Sequence, residues 1–441
     1  MLSLKKLTNF LKGFILTKRT IDSFFVMTLN FVCIFGIIFI NAKIKLFTFS
    51  LSTIFCILLP YVWLIFSVIN IFVTKHFNLK NYLENFFVND KKRLVFLTIC
   101  FILTTFLEIT FTGKRDIFRF DYWKGWITVV TISISLILFI NARVSKFTSI
   151  FCGSLCCLCN CLFICSYIFG YGRTTLGTAQ YLSFNFENTN AAGLAILFVT
   201  IGSLVLSFST KKIYIKIPPF LLLPFDLFLL FKTGARSSFV AFFILVMCFF
   251  IFLITKSKTI NFIIVYLLLM SPIIMYIVYT IVMNIVGDKA SIFTIFNNKG
   301  INNRIVAWNT FTNIYLKNPL FGAYHVQYLN EGNYSLFNNH NSFLNILVAY
   351  GPIPTLLLFW LFTEIGLQIS VFTGSRNAYA KCLFLSFFVS GMFEGSIIGG
   401  FGNLFVITFL SFLLLPPLFT KCQKDILLNN HIDNLLFTIE I

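Results

Sequence analysis

The sequence predicts an all-α, polytopic membrane protein, and three observations support this fold class. Of the 441 residues, 58% are hydrophobic and only 11% are charged, whereas soluble domains carry about 25% charged residues. The mean hydropathy is +0.90. Apolar runs also recur along the chain at the length of a membrane-spanning helix, about 20 residues. A chain of this composition cannot cover its surface with polar groups in water.

About twelve apolar runs of roughly this length occur along the chain, and each is a candidate transmembrane helix. The predicted spans are 24–42, 46–74, 94–112, 126–141, 149–170, 191–210, 217–231, 238–255, 260–286, 342–373, 382–400 and 402–420. The weakest of them is 217–231, because three prolines and Asp226 interrupt the apolar run.

The distribution of basic residues predicts the orientation of the chain in the membrane. There are 34 basic and 15 acidic residues, which gives a formal net charge of +19. In a soluble protein this excess would suggest nucleic acid as a partner, but here the basic residues lie in short clusters between apolar runs. Most of them fall on one side if the N-terminus is cytoplasmic, so we expect both termini in the cytoplasm (N-in/C-in). No nucleic-acid partner is expected, and the first apolar run is interpreted as an uncleaved span.

This orientation places one long hydrophilic segment, residues 287–341, on the extracytoplasmic side before the tenth span. It is far longer than a connection needs. Within it, Asn302 and Asn303 can cap a helix whose apolar residues, Trp308 among them, recur at helical spacing. We therefore expect residues 1–286 to hold spans 1–9, 287–341 to form an extracytoplasmic loop with an amphipathic helix, and 342–441 to hold spans 10–12 and a cytoplasmic tail.

The twelve cysteines do not predict disulfides or a metal site. Nearly all of them lie inside apolar runs, and half lie within residues 152–165. Cys156 and Cys159 have the spacing of half a metal clamp, but neither a His nor a carboxylate accompanies them. We interpret these cysteines as small packing residues of a membrane helix, and we expect no metal.

Four outward-facing motifs stand out once the topology is fixed. They are Asn188–Gly193 at the start of one span, Gly234–Ser238 at the start of another, Arg304 with Trp308 and then Asn318–Gly322 in the outer loop, and His340–Leu344 running into a helix that reaches Gly351.

The motifs place two guanidinium groups and one imidazole near the outer ends of the spans. Guanidinium binds phosphate oxygens through a planar fork, and imidazole can take a proton from a hydroxyl at neutral pH. Together they suit a phosphate-containing lipid whose head group reacts with an alcohol. Each residue also has a structural alternative: Arg236 as an interfacial anchor, Arg304 as a solvated helix residue, His340 as a neighbour of a helix cap, and Trp308 as a packing residue.

In this order, the motifs resemble those of the O-antigen ligase and polymerase superfamily, integral-membrane glycosyltransferases of the GT-C type that act on lipid-linked glycans. The resemblance extends from Asn188 to Gly351. The sequence departs from the family pattern at Pro354, where a second Gly is typical, and at Thr189, where Pro is common.

The resemblance implies a donor glycan on undecaprenyl diphosphate and an acceptor sugar hydroxyl, joined on the outer face without a nucleotide sugar, cofactor or metal. The implied roles are His340 as the catalytic base, Arg236 and Arg304 as the ligands of the substrate diphosphate, and Asn341, Trp308 and Asn190 as supporting residues, with Asn341 orienting the base.

Within this superfamily we favour a polymerase of oligosaccharide repeat units for capsule, exopolysaccharide or O-antigen in the plasma membrane of a bacterium. The abundance of Phe, Ile, Asn and Lys is typical of AT-rich coding, which favours a bacterium without lipopolysaccharide. A chain-length regulator is compatible with this reading.

Three alternatives stay open. The first is a ligase of the same superfamily. The second is a flippase for lipid-linked oligosaccharides, which would use acidic residues inside the spans. Those residues are Glu108, Asp226, Glu364 and Glu394. The third is a scaffold of a secretion complex without catalytic activity.

Overall fold

The computed structural model describes most of the predicted spans and part of the outer loop. The described residues are 18–41, 49–74, 89–112, 145–176, 179–186, 189–210, 212–255, 257–286, 302–317, 319–322, 341–370 and 375–392, with separate residues between 127 and 138. Of these, 88% are helical. The remainder forms short turns and one β-hairpin.

The elements follow one another along the chain as a helical bundle interrupted once by two strands. They are α1 (Lys18–Asn41), α2 (Phe49–Thr74), α3 (Asn89–Thr112), α4 (Lys146–Ile168), β1 (Arg173–Leu176), β2 (Ala179–Leu182), α5 (Thr189–Ser209), α6 (Ile213–Thr233), α7 (Arg236–Ile254), α8 (Lys258–Leu269), α9 (Ser271–Val286), α10 (Asn302–Lys317), α11 (Ser342–Tyr350), α12 (Pro352–Ser370) and α13 (Ser375–Ser390).

Several of these helices are long and apolar enough to cross a bilayer. In the described part of the chain these are segments of α1, α4, α5, α6 and α7, and the bent pair α8–α9 adds a sixth. Shorter apolar helices lie in α2, α3 and α12. The chain is thus a multi-pass membrane protein, whereas the number of twelve spans and their orientation stay predictions. The predicted span 402–420 lies outside the described residues.

Two of the predicted spans are each broken into two helices. The run 260–286 divides at Met270 into α8 and α9, with a bend of 63°. Pro272 has no N–H to donate and its ring would clash with a continuing helix, which accounts for the break. The run 342–373 divides at Gly351, which has a φ of +77° and is followed by Pro352. A left-handed glycine ends one helix and a proline begins the next.

The structure is more regular than expected at 217–231. Here α6 continues from Ile213 to Thr233 through all three of its prolines. The helix ends at Gly234, which adopts the left-handed conformation with a φ of +64°. Apolar surroundings on both sides favour the helix, since a bilayer offers no water to unpaired backbone groups.

A β-hairpin between α4 and α5 was not expected from an all-α reading. Strands β1 and β2 pair antiparallel, with Arg173 opposite Leu182 and Leu176 opposite Ala179. The chain then turns through Phe184 and Asn185, both of which have positive φ. The Phe184 ring is buried against Phe163 at 4.9 Å between ring centroids. This burial holds the turn that leads into α5.

Helix α5 occupies the centre of the described bundle. Of its membrane-spanning window, 89% is buried inside the protein, and it contacts α4, α6, α7 and α13. At Gly153 of α4, an added Cβ would lie 2.6 Å from the backbone nitrogen of Leu206. The two helices therefore approach as closely as small residues permit in membranes.

Candidate active site

The start of α11 is anchored among other elements by the side chain of Asn341. Its Oδ1 atom accepts a hydrogen bond from the backbone N–H of Leu344 at 3.0 Å, so Asn341 is the N-cap of the helix. Its Nδ2 group donates to the carbonyl oxygens of Pro272 at 2.9 Å and Met392 at 3.2 Å. Because Asn341 is fully buried, these bonds fix the backbone directly after His340.

The break between α8 and α9 lies at the same point. The hydroxyl of Ser271 donates to the carbonyl oxygen of Phe388 at 3.2 Å. The backbone N–H of Ser342 donates to the carbonyl oxygen of Gly391 at 2.9 Å. An added Cβ on Gly391 would lie 2.8 Å from the Ser342 hydroxyl oxygen. The break, the start of α11 and the end of α13 thus form one closely packed junction.

Helix α10 of the outer loop docks onto α9 and α11 through Trp308. The Trp308 ring is 98% buried and lies edge-on to Tyr279, with 4.2 Å between the ring centroids. The Tyr276 hydroxyl is 2.6 Å from the Thr312 hydroxyl, which itself donates to the Trp308 carbonyl oxygen at 2.8 Å. Tyr276 is therefore the donor of its bond. Leu344 of α11 completes the apolar contact.

The segment after α10 contacts the far end of α11 through two glycines. An added Cβ on Gly322 would lie 2.6 Å from the backbone nitrogen of Gly351, and one on Gly351 would lie 2.8 Å from the carbonyl oxygen of Leu320. Both glycines have positive φ. Only residues without a Cβ fit this contact. The contact joins the motif Asn318–Gly322 to the motif that ends at Gly351.

The starts of α5 and α7 form a second junction. An added Cβ on Gly193 would lie 2.3 Å from the Cβ of Ala235 and 3.1 Å from the Ser238 hydroxyl oxygen. The Thr233 hydroxyl donates to the carbonyl oxygen of Leu230 at 2.7 Å and accepts from the N–H of Ala235 at 3.2 Å. These bonds shape the turn between α6 and α7. The motifs Asn188–Gly193 and Gly234–Ser238 are thus neighbours in space.

The β-hairpin covers this second junction. The buried ring of Tyr181 lies against Gly234, where an added Cβ would be 2.8 Å from its Cε1 atom. Gly234 has a φ of +64°, so the position needs glycine for both its conformation and its space. Tyr181 was not singled out from the sequence, and only the tertiary fold reveals its contact with the turn before Arg236.

Comparison with known families identifies the region that contains most of these contacts. Residues 220–359 match the family model described as O-antigen ligase. This part of the chain is therefore similar to the O-antigen ligase family. The match confirms the resemblance to the O-antigen ligase and polymerase superfamily. Members of this family are membrane glycosyltransferase-like enzymes whose substrates are lipid-linked glycans. A comparison with curated proteins finds no match.

The matched region, residues 220–359, contains all three residues with predicted chemical roles. Arg236 is the first residue of α7, and Arg304 lies in the first turn of α10, four residues before Trp308 on the same helix face. The side chains of both arginines, and the whole of His340, lie outside the described residues. Their roles stay predictions, whereas the backbone positions that carry the arginines are described.

The supporting residues differ in what they contact. Asn341 uses its amide to cap α11 and to bond the neighbouring backbone, so it fixes the chain beside His340. Trp308 is buried and holds α10 in place, which makes it a packing residue rather than an open platform for a sugar ring. Asn190, in the first turn of α5, is half-buried beside the second junction.

The two junctions are connected by α13, which packs along α7 and ends beside α11. The Cys382 thiol lies 3.6 Å from the carbonyl oxygen of Leu245 in α7, and the Gly391 carbonyl oxygen accepts from Ser342 in α11. The four motifs, distant in the sequence, thus pair into two clusters joined by one helix. In the described part of the chain, no three His, Cys, Asp or Glu side chains gather as a metal site would require.

The acidic residues considered for a transporter occupy different surroundings. Glu364 accepts a hydrogen bond from the indole N–H of Trp360 at 3.1 Å. Asp226 is fully buried in α6. The side chain of Glu108 and the whole of Glu394 lie outside the described residues. Asp226 and Glu364 lie on two different helices, α6 and α12.

Proposed function

We propose that the chain is a membrane glycosyltransferase that polymerises oligosaccharide repeat units carried on undecaprenyl diphosphate, at the outer face of the cytoplasmic membrane of a bacterium. The product would be a capsule, an exopolysaccharide or an O-antigen. The observation that carries the proposal is the docking of the loop helix α10 onto α9 and onto α11. This packing brings the helix that carries Arg304 to the element that follows His340.

The proposed reaction transfers the growing glycan from its diphosphate to a sugar hydroxyl. The bond between the anomeric carbon and the diphosphate oxygen breaks, and a bond from the acceptor oxygen to that carbon forms. Negative charge grows on the leaving diphosphate, where Arg236 and Arg304 stabilise it without a metal. His340 takes the proton of the acceptor hydroxyl.

The geometry of the junction suits a substrate that is partly in the bilayer. Helix α8 has 12 residues and therefore rises about 18 Å, compared with a hydrocarbon core of about 30 Å. The start of α11 meets the chain just after this helix. The described ends of the intervening segment, Gly322 and Asn341, lie at opposite ends of α11.

A ligase is the second candidate, because the matching family model is described as O-antigen ligase. Both enzymes would use the same donor and the same cationic side chains. They differ in the acceptor, which is a lipid-linked repeat for a polymerase and a finished lipid or surface carrier for a ligase.

Analysis of lipid-linked glycans in a deletion strain tests the proposal. We expect single repeat units to accumulate on the outer face, with loss of long polymer that a plasmid copy restores. Full-length polymer retained on its lipid would support the ligase instead. Repeat units retained on the cytoplasmic face would indicate a flippase and contradict a glycosyltransferase. An unchanged glycan pattern would contradict all of these functions and support the scaffold.

A further inference from the structure

A buried polar cluster joins α4, α5 and α6 away from the two junctions. The Nδ2 group of Asn160 in α4 donates to the Oδ2 atom of Asp226 in α6 at 3.0 Å and to the Ser203 hydroxyl oxygen in α5 at 3.4 Å. All three side chains are fully buried. The cluster lies among apolar spans, where each polar group needs a partner from the protein itself.

Two buried oxygens of this cluster have no donor among the described residues. They are the Oδ1 atom of Asn160 and the Oδ1 atom of Asp226. An unsatisfied buried acceptor destabilises the folded state. The two nearby hydroxyls also donate to backbone carbonyl oxygens, Ser203 to that of Thr200 and Thr200 to that of Ile196, both at 2.7 Å.

Uncharged groups face Asp226 from two helices. They are the Thr200 hydroxyl of α5 and, on α4, the thiols of Cys157, Cys159 and Cys161. On α6 itself, the Lys232 ammonium group lies over the Phe228 ring at 5.4 Å. In the described part of the chain, no cation is bonded to Asp226. A charged carboxyl group inside a membrane helix is unfavourable unless a partner or water compensates it.

We propose that Asp226 binds a proton and forms a neutral acid–amide pair with Asn160. The amide N–H of Asn160 donates to the Asp226 Oδ2 atom, and the proton on the Asp226 Oδ1 atom donates to the Asn160 Oδ1 atom. One proton, taken up from water as the chain folds, thereby satisfies both orphaned oxygens. The pair fixes α6 to α4 below the turn that leads into Arg236. It stays protonated, unlike a carboxyl group that releases protons in a transport cycle.

Infrared spectroscopy of the purified full-length protein tests the protonation directly. We expect the C=O stretching band of a protonated carboxylic acid at neutral pH, and we expect it to be absent from Asp226→Asn. The matched control is Glu364→Gln, which removes another carboxyl group from a membrane helix and should leave the band unchanged. Equal spectra for the native protein and Asp226→Asn would overturn the proposal.

Variants of the pair test its structural role without requiring an activity assay. Asp226→Asn can form the same two hydrogen bonds as an amide pair, so its melting temperature in detergent should match that of the native protein. Asp226→Leu leaves the Asn160 amide unpaired and should melt at a lower temperature. The exchanged pair, Asn160→Asp with Asp226→Asn, should melt like the native protein. It should also regain the acid band that Asp226→Asn lacks. If the exchanged pair lacks that band, the proposal is wrong.

Two further outcomes would overturn the pair. A higher melting temperature in sodium chloride than in choline chloride, abolished by Asp226→Asn, would show that a metal cation rather than a proton fills the site. Loss of polymer in cells that hold a normal amount of folded Asp226→Asn would show that the protein needs a carboxyl group that ionises. We expect neither result.

Discussion

Asn341 shows how a single side chain can fix the position of a catalytic candidate. Its amide caps α11 and also bonds the backbone at the α8–α9 break and at the end of α13. The sequence predicted a supporting role for Asn341 beside His340. It could not predict the partners, because Pro272 and Met392 are far away along the chain. Asn341 would therefore position His340 by fixing the adjacent backbone, which differs from a hydrogen bond to the imidazole.

Substitution of Asn341 separates the cap from the other bonds. Asn341→Asp keeps an oxygen for the Leu344 N–H but cannot donate to Pro272 and Met392, whereas Asn341→Ala loses all three bonds. A lost cap costs about 0.5–2 kcal/mol, and each orphaned carbonyl adds about 1–3 kcal/mol. We expect both variants to melt below the native protein in detergent, with Asn341→Ala the lower. Equal melting of all three proteins would contradict this role.

Substitution of the proposed catalytic and diphosphate-binding residues should reduce activity without preventing folding. Removing one contact to a transition-state charge costs about 3–4 kcal/mol, which corresponds to more than a hundredfold in rate. We expect Arg304→Ala and His340→Ala to insert normally and to abolish long polymer in cells. Arg236→Lys keeps the charge but loses the planar fork, so we expect it to be strongly impaired as well.

A surface arginine outside the proposed site provides the control for these variants. Arg173 of β1 is exposed, and its guanidinium group lies over the Tyr167 ring at 5.9 Å. Arg173→Ala should leave polymer length unchanged. Normal polymer in Arg304→Ala or His340→Ala would contradict the proposed chemistry.

At the scale of elements, the apolar runs predicted where helices form but not where they break. The runs 260–286 and 342–373 are both long enough for one span, and hydropathy alone cannot distinguish a straight span from a broken one. Pro272 and Gly351 were visible in the sequence as breakers. That the two breaks lie at the two ends of α11 depends on tertiary contacts, namely those of Asn341 with Pro272 and of Gly351 with Gly322.

The contact between Gly322 and Gly351 can be tested against a glycine with nearly the same φ. Gly351 and Gly170 have φ of +77° and +76°, but an added Cβ meets a backbone oxygen only at Gly351 and nothing within 4 Å at Gly170. Gly170→Ala should therefore cost only the left-handed strain, about 1–2 kcal/mol. Gly351→Ala should cost more and should also reduce polymer formation. Equal melting temperatures for the two variants would contradict the close contact.

At the scale of the whole molecule, charge and hydropathy predicted a multi-pass protein with both termini inside. The structure supports the multi-pass architecture through its long apolar helices. The orientation of the chain in the membrane is predicted from the basic residues between the spans. The central position of α5 followed from contacts alone, since its sequence is no more hydrophobic than that of several other spans.

Reporter fusions test the orientation. Alkaline phosphatase, which is active only outside the cytoplasm, should be active when fused after Gly172 and inactive after Ser257. Green fluorescent protein should give the opposite pattern, with fluorescence after Ser257. Both residues lie next to described helix ends, α4 and α8. The reverse pattern would place the loop 287–341 in the cytoplasm and contradict the proposed outer-face reaction.

The sequence by itself determined the membrane class, the helical elements and the resemblance to a family, because each depends on composition, local periodicity or short motifs. Only the tertiary structure decided which motifs are neighbours: Gly193 with Ala235, Trp308 with Tyr279, and Gly322 with Gly351. Such pairings depend on shape, since a glycine is required only where another part of the chain packs against it too closely for a Cβ. They also depend on burial, since Asn160 and Asp226 find each other only when three helices exclude water from both.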